Sequence, residues 1–136
     1  MTSFFDSNVL LYLLDTSQKK QRTEELLRQQ GVVSVQVLNE FIEVSRRKFK
    51  LPTQVAVAFL KPISERCKIV DLTLDTHKRA IEIIMTTNLG IYDANIIAAA
   101  ELSGCNVLYS EDMSHGQKIG SFSIINPFVV LRSNKP

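Results

Sequence analysis

The sequence predicts an α/β fold in three layers, a central parallel sheet with helices on both faces. Short apolar runs alternate with longer stretches of helical period along all 136 residues, and that alternation builds a parallel sheet. No linker, repeat or low-complexity tract interrupts it. At 15.3 kDa, folding can hide roughly two-thirds of the extended chain's surface. Residues 1–136 are therefore expected to form one domain around one core.

Phe4-Phe5 reads as the first strand and ends at Asp6-Ser7-Asn8. Val9 to Leu14 follows as a short helix, with Ser7 or Asn8 as its cap. Gln18 to Gln30 is charged and amphipathic, turns Leu26 and Leu27 inward, and is stopped by Gly31. Val32-Val33 supplies a second strand. From Val35 to Phe49, the residues Val37, Leu38, Phe41, Ile42 and Phe49 fall on one helical stripe. Pro52-Thr53 opens another helix, which runs to about Leu60 and is bent or ended near Pro62. Ile69-Val70 is a third strand, and Thr73 to Thr87 a helix with Ala80, Ile81, Ile84 and Met85 inward. Tyr92 to Leu102 is a nearly all-apolar helix stopped by Gly104. Asn106 to Tyr109 and Ile124-Ile125 are the remaining strands, with a short helix over Glu111 to Lys118 between them.

Composition excludes several classes. Apolar residues at 45% and charged residues at 22% are ordinary globular values and rule out disorder as the main state. Sixteen Lys+Arg against fourteen Asp+Glu leave a net charge of +2, which announces no nucleic-acid binder, because the phosphate-capturing field comes from clusters. Cys67 and Cys105 have no C-x-x-C spacing and read as reduced, half-buried thiols of a cytosolic protein, a disulfide staple being the alternative. The start, Met1 to Asp6, lacks a signal peptide's basic region. The longest apolar run, Val9 to Leu14, is too short for a bilayer. A soluble, cytoplasmic protein without a membrane partner is expected.

The acids carry the chemistry. In such a sheet, ligands collect outside the carboxyl ends of the strands. Asp6 directly follows the first strand, and Asp112 lies just past the strand ending at Tyr109-Ser110. Asp93 sits in the first turn of the apolar helix, and Glu40 lies beside Val37 and Phe41. Each has a plain alternative. Asp6, Asp93 and Asp112 could cap helices or turns. Glu40 could face solvent, although Glu43 and Arg47 already make that helix's i,i+4 pair. Together, four acids at core-facing edges without matching cations suit a hard, oxygen-liganded ion, Mg²⁺ or Mn²⁺. His77 and His115 have no partner at zinc spacing.

At this point the motifs resemble a known family. Phe5-Asp6-Ser7-Asn8, Leu38-Asn39-Glu40-Phe41, Ile91-Tyr92-Asp93-Ala94-Asn95 with its alanine-rich continuation, Leu108 to Met113, and Ile125 to Phe128 resemble the motifs of PIN-domain nucleases. More narrowly they are similar to VapC-type ribonuclease toxins of toxin–antitoxin pairs. Tyr92 stands where Trp is frequent and Gly90 where Ser is common, which leaves the acids untouched. The resemblance implies Asp6, Glu40, Asp93 and Asp112 as metal-binding and catalytic acids, with Asn8 and Ser110 as polar helpers. It also implies an RNA substrate (transfer or ribosomal RNA among the candidates), a cognate antitoxin and a homodimer.

Charge then limits the mechanism. Four ionised carboxylates with one Mg²⁺ still repel a phosphodiester, so a second ion or a retained proton is expected. Arg46, Arg47, Lys48 and Lys50 follow Glu40, reaching up to ~15 Å beyond it along a helix, and are candidates for holding RNA phosphates. Their alternative is a solvated helix end. Rival readings are a phosphoacceptor domain, a catalytically idle PIN module, and a housekeeping RNA-processing PIN nuclease. The phosphoacceptor is disfavoured because Asn8 replaces the second Asp of Asp-x-Asp and the last strand, Ile124-Ile125, leads into Asn126-Pro127 where such a domain wants a Lys.

Overall fold

The computed structural model describes residues 2–113, 116–119 and 122–129. Among these, strands β1 (Ser3–Phe5), β2 (Gly31–Ser34), β3 (Cys67–Val70), β4 (Val107–Tyr109), β5 (Lys118–Ile119) and β6 (Phe122–Ile125) form one sheet. The strand order is β3-β2-β1-β4-β6-β5. Neighbours are parallel except β5 and β6, an antiparallel pair at one edge. Phe4 and Phe5 point to opposite faces of β1, and both are buried. The sheet is therefore covered on both sides, as three layers require.

The helices are α1 (Ser7–Leu10), continued by a 3-10 turn at Leu11–Leu14, α2 (Gln18–Arg28), α3 (Val35–Arg47), α4 (Thr53–Ala58), α5 (Leu60–Arg66), α6 (Leu74–Thr86) and α7 (Ile91–Leu102). From Ile96 to Ala100, every residue of α7 is buried, as its unbroken apolar run requires. Its alanines let α6 approach closely. Cys67 and Cys105 are free and buried, and burial pushes their thiols up to about 12 and about 11. Neither is a nucleophile at neutral pH. No helix among the described residues is long and apolar enough to cross a membrane.

Several elements differ from expectation. The cap of α1 is Asp6 rather than Ser7 or Asn8. On α6 Ala80 is buried and Ile84 packs against the core as expected, but Thr76 and Ile83 complete the buried face, whereas Ile81 and Met85 are 37% and 78% exposed. Two overlapping stripes competed there, and local hydrogen bonding chose. Thr73 and Thr76 close a capping box, and the Thr87 hydroxyl donates to the Ile83 carbonyl at 2.8 Å. Satisfied hydroxyls can turn inward at little cost. The break expected near Pro62 falls at Phe59, between α4 and α5, because Pro62 has no N–H for the Ala58 carbonyl four residues before it.

The helix expected over Glu111 to Lys118 is absent among the described residues, of which 114 and 115 are not part. Gly116, at φ 84°, turns the chain into the β5–β6 pair instead. Helix α3 also stops at Arg47, so Phe49 lies beyond it and is exposed.

Gly31 does a different job from the expected stop signal. The positive φ that ends α2 belongs to Gln30, at 64°. Gly31 is the first residue of β2, where a Cβ would lie 2.4 Å from Phe5 Cε2 and 2.9 Å from the Ser3 carbonyl oxygen. The Phe5 ring is buried and stacked on Tyr109, so it has nowhere to go. Gly31→Ala is expected to destabilise the protein by about 1–3 kcal/mol. A urea midpoint that falls at constant slope is the expected reading; an unchanged midpoint would show that Phe5 can yield.

Candidate active site

Sheet topology places the site. From β1 the chain crosses to β2 on one side and later returns to β4 on the other, so a crevice opens between the carboxyl ends of β1 and β4. The register pairs Phe5 with Tyr109, which sets Asp6 beside Ser110. Backbone bonds fix both: the Asp6 N–H donates to the Tyr109 carbonyl and the Ser110 N–H to the Ile125 carbonyl, each at 3.0 Å. Glu40 lies in the second turn of α3, which leaves the same rim from β2, and Asp93 in the first turn of α7.

Asp6 is the buried member. Its carboxylate accepts from the Ser7 N–H at 2.7 Å, the Ser110 hydroxyl at 2.8 Å and the Asn8 side-chain amide at 3.3 Å. Desolvation outweighs these bonds and, with repulsion from Glu40 and Asp93, pushes its pKa up to about 6. The capping alternative is thus true of Asp6 without exhausting it. Asn8 also accepts from the Glu111 N–H at 3.0 Å, tying the Asp112 loop to α1.

Glu40 is half-buried and, among the described residues, paired with no cation. It accepts from the Ser7 hydroxyl at 3.3 Å and from Gln36 at 3.5 Å, while Arg47 pairs with Glu43 at 3.4 Å. Partial burial and the neighbouring Asp93 raise its pKa. Asp93 caps nothing, since the N-cap of α7 is Gly90 with no side-chain bond. Partial desolvation and repulsion from Asp112 raise its pKa in turn. Among the described residues, Asp112 precedes no helix that it could cap. Among the described residues, none of the four acids is ion-paired.

Repulsion links the acids in one chain: Asp6 to Glu40 and Asp93, and Asp93 to Asp112. Among the described residues no three His, Cys, Asp or Glu side chains stand close enough to form a ready-made metal cage. The donor set nonetheless fits a hard cation. It is all oxygen and, among the described residues, unneutralised, and Asp6, Glu40 and Asp93 are raised in pKa in a way that added positive charge would relieve.

Residues that sequence reasoning missed hold the acids. Gln36 donates to Glu40 and to the Tyr92 carbonyl, and accepts from Asn95, joining α3 to the start of α7. Its one signal was its place one turn before Glu40. Glu111 accepts from Tyr12 and Lys19, both at 2.7 Å, and Lys19 lies over the Tyr12 and Phe128 rings. No local pattern announces that clamp. Of the candidate phosphate-holding cations, Arg47 and Lys48 line a groove of about 780 Å³ that includes Ser7, Asn8 and Asp112. Arg46 and Lys50 are exposed and line none of it.

The family model described as the PIN domain matches residues 3–117. The chain belongs to the PIN domain family. No curated protein matches its sequence. A toxin–antitoxin complex from Klebsiella pneumoniae has a TM-score of 0.69 at 19% identity, over 93% of this chain and 98% of that one. VapC20 of Mycobacterium tuberculosis, described as a sarcin–ricin loop cleaving toxin, has 0.66 at 19% identity, over 82% and 90%. VapBC-1 of nontypeable Haemophilus influenzae has 0.70 at 17%, over 94% and 99%. At such identities the likeness is one of fold.

In this PIN domain the raised Asp6 makes stability depend on pH. The carboxyl titrates near 3.8 when exposed and near 6 when folded, so the folded state binds more protons between those values. Stability then falls as pH rises from about 4 to about 6, by ~3 kcal/mol from this group, and flattens above. Asn at position 6 can still accept the Ser7 N–H while its amide donates to Ser110. Melts in EDTA should therefore show Asp6→Asn level with wild type near pH 4 and increasingly more stable towards pH 6. A constant gap across that range would show that Asp6 does not titrate there.

Proposed function

We propose that this PIN domain is a Mg²⁺- or Mn²⁺-dependent endoribonuclease, acting as the toxin of a toxin–antitoxin pair. The observation that carries the reading is the row of mutually repelling acids, without a paired cation, at the switch point of the sheet. The likeness of the fold to solved toxin structures supports the toxin assignment. A cytoplasmic homodimer, held inactive by an antitoxin that brings Arg or Lys to the acids, belongs to the same reading.

Asp6, Asp93 and Asp112 would hold one or two ions, which when bound polarise the scissile phosphate and lower the pKa of a water. Glu40 acts as the base. Its raised pKa suits it to take the proton from the attacking water, while Ser7 and Gln36 keep its two oxygens oriented. As water attacks phosphorus, the bond to the leaving ribose oxygen breaks and that oxygen takes up a proton from solvent, while Glu40 later returns its own proton to solvent. Asp6 is held by three donors and does not follow the phosphate. A second ion, or a proton retained on one of the four carboxyl groups, would lower the site's remaining negative charge.

Purified protein should cleave RNA with Mg²⁺ or Mn²⁺ and lose cleavage in excess EDTA. Asp93→Asn should cost roughly a hundred-fold or more with its melt intact. Full activity in EDTA would overturn the mechanism, and activity with zinc alone would overturn the ligand assignment. Millimolar Mg²⁺ should also stabilise wild type more than Asp6→Asn, because only the full site gains strongly from binding.

Expression of the chain should arrest growth, and co-expression of a small protein encoded beside it should restore it. Normal growth and no copurifying partner would favour a housekeeping RNA-processing role.

A further inference from the structure

We propose that the groove beside the acids is a subsite for one unpaired nucleotide of the RNA, with Phe49 as the platform for its base and Arg47 and Lys48 as the clamp on its phosphates. The inference rests on the nuclease reading above and adds to it the side chains that seat one base and its phosphates. The groove runs from Asp112, Ser7 and Asn8 to the end of α3, and its volume of about 780 Å³ suits a small organic ligand.

Its chemistry is divided. Leu11, Val44, Phe49 and the Tyr12 ring give it apolar walls, while Arg47 and Lys48 stand among them. A groove that held phosphate alone would need no aromatic wall. A nucleotide needs both, because the base offers a π-face and the backbone a charge. In a duplex that face is already stacked and cannot reach Phe49.

Phe49 is built as a fixed platform. It is 44% exposed, yet the chain around it is tied down. The Lys48 and Phe49 N–H groups both donate to the Val44 carbonyl, at 2.9 and 3.4 Å, and the Leu51 N–H to the Ser45 carbonyl at 3.1 Å. Lys50 takes a positive φ of 58° to allow this, a conformation that a non-glycine residue adopts only at a cost.

The charges agree. Among the described residues Arg47 is held only by its exposed pair with Glu43, which is weak enough to exchange for a phosphate. Of the acids along the groove, Glu111 is neutralised by Lys19 at 2.7 Å. Asp15 is engaged by the Thr16 N–H and the Ser17 hydroxyl. Asp112 belongs to the catalytic end.

The sequence contains no tryptophan, so Phe49→Trp introduces a single reporter. In EDTA, where no cleavage interferes, oligoadenylate should quench its emission. An abasic ribose-phosphate chain of equal length, or a poly(A)·poly(U) duplex, should quench it little. With Mg²⁺, Phe49→Ala should raise KM for single-stranded RNA roughly ten-fold with kcat nearly unchanged, and Phe49→Trp should restore it. Arg47→Ala and Lys48→Ala should each lower the salt dependence of binding by about 0.7 in log–log slope. RNA cleavage that is indifferent to Phe49→Ala, with unquenched Trp emission, would overturn the subsite and leave the nuclease reading intact. Quenching by an apolar peptide but by no RNA would assign the groove to a protein segment. A wild-type protein that neither binds nor cuts RNA would overturn both.

Discussion

The site is organised around one buried carboxylate. Asp6 ends β1 at the point where the chain's path across the sheet reverses, and there it can meet groups from β4, α1 and α3 at once. Burying it costs free energy that three donors only partly offset, since its pKa stays raised to about 6. Those donors, Ser7, Asn8 and Ser110, are therefore more than a cap. They hold one charged group where water has been removed.

Around Asp6 the charges are crowded. At an effective dielectric near 20, two carboxylates ~5 Å apart repel by roughly 3 kcal/mol, and Glu40 and Asp93 both add to the pressure on Asp6. A fold selected only for stability would place a lysine or arginine there. This one instead spends its nearby cations elsewhere, on Glu43 and Glu111. The acids share a need for positive charge that the described residues do not meet, and such strain is what a metal-dependent site would store.

Two polar bridges keep the crowded acids from drifting apart. Gln36 spans the gap between α3 and α7, and the Lys19–Glu111–Tyr12 clamp anchors the loop that carries Asp112. Both bridges join elements distant in sequence. Asn8 completes the frame by touching Asp6, Ser110 and the Glu111 backbone, so one side chain joins α1 to the ends of β1 and β4.

Local pattern determined much of this protein by itself. The alternation of apolar runs was enough for the layered α/β class, because strand and helix periods are written in neighbouring residues. The positions of Asp6 and Asp112 just past strands, and of Asp93 in a first turn, already marked one rim. Tertiary structure decided the rest. It chose the Thr76–Ala80–Ile83 face of α6 over the more apolar stripe, because burial depends on whether hydroxyls find partners as well as on hydropathy. It gave Gly31 its meaning through a Phe5 ring that lies 26 residues earlier. It also separated Arg47 and Lys48, which line the groove, from Arg46 and Lys50, which do not. The helix ends at Arg47, and the direction of the chain beyond it is set by hydrogen bonds that no residue pattern declares.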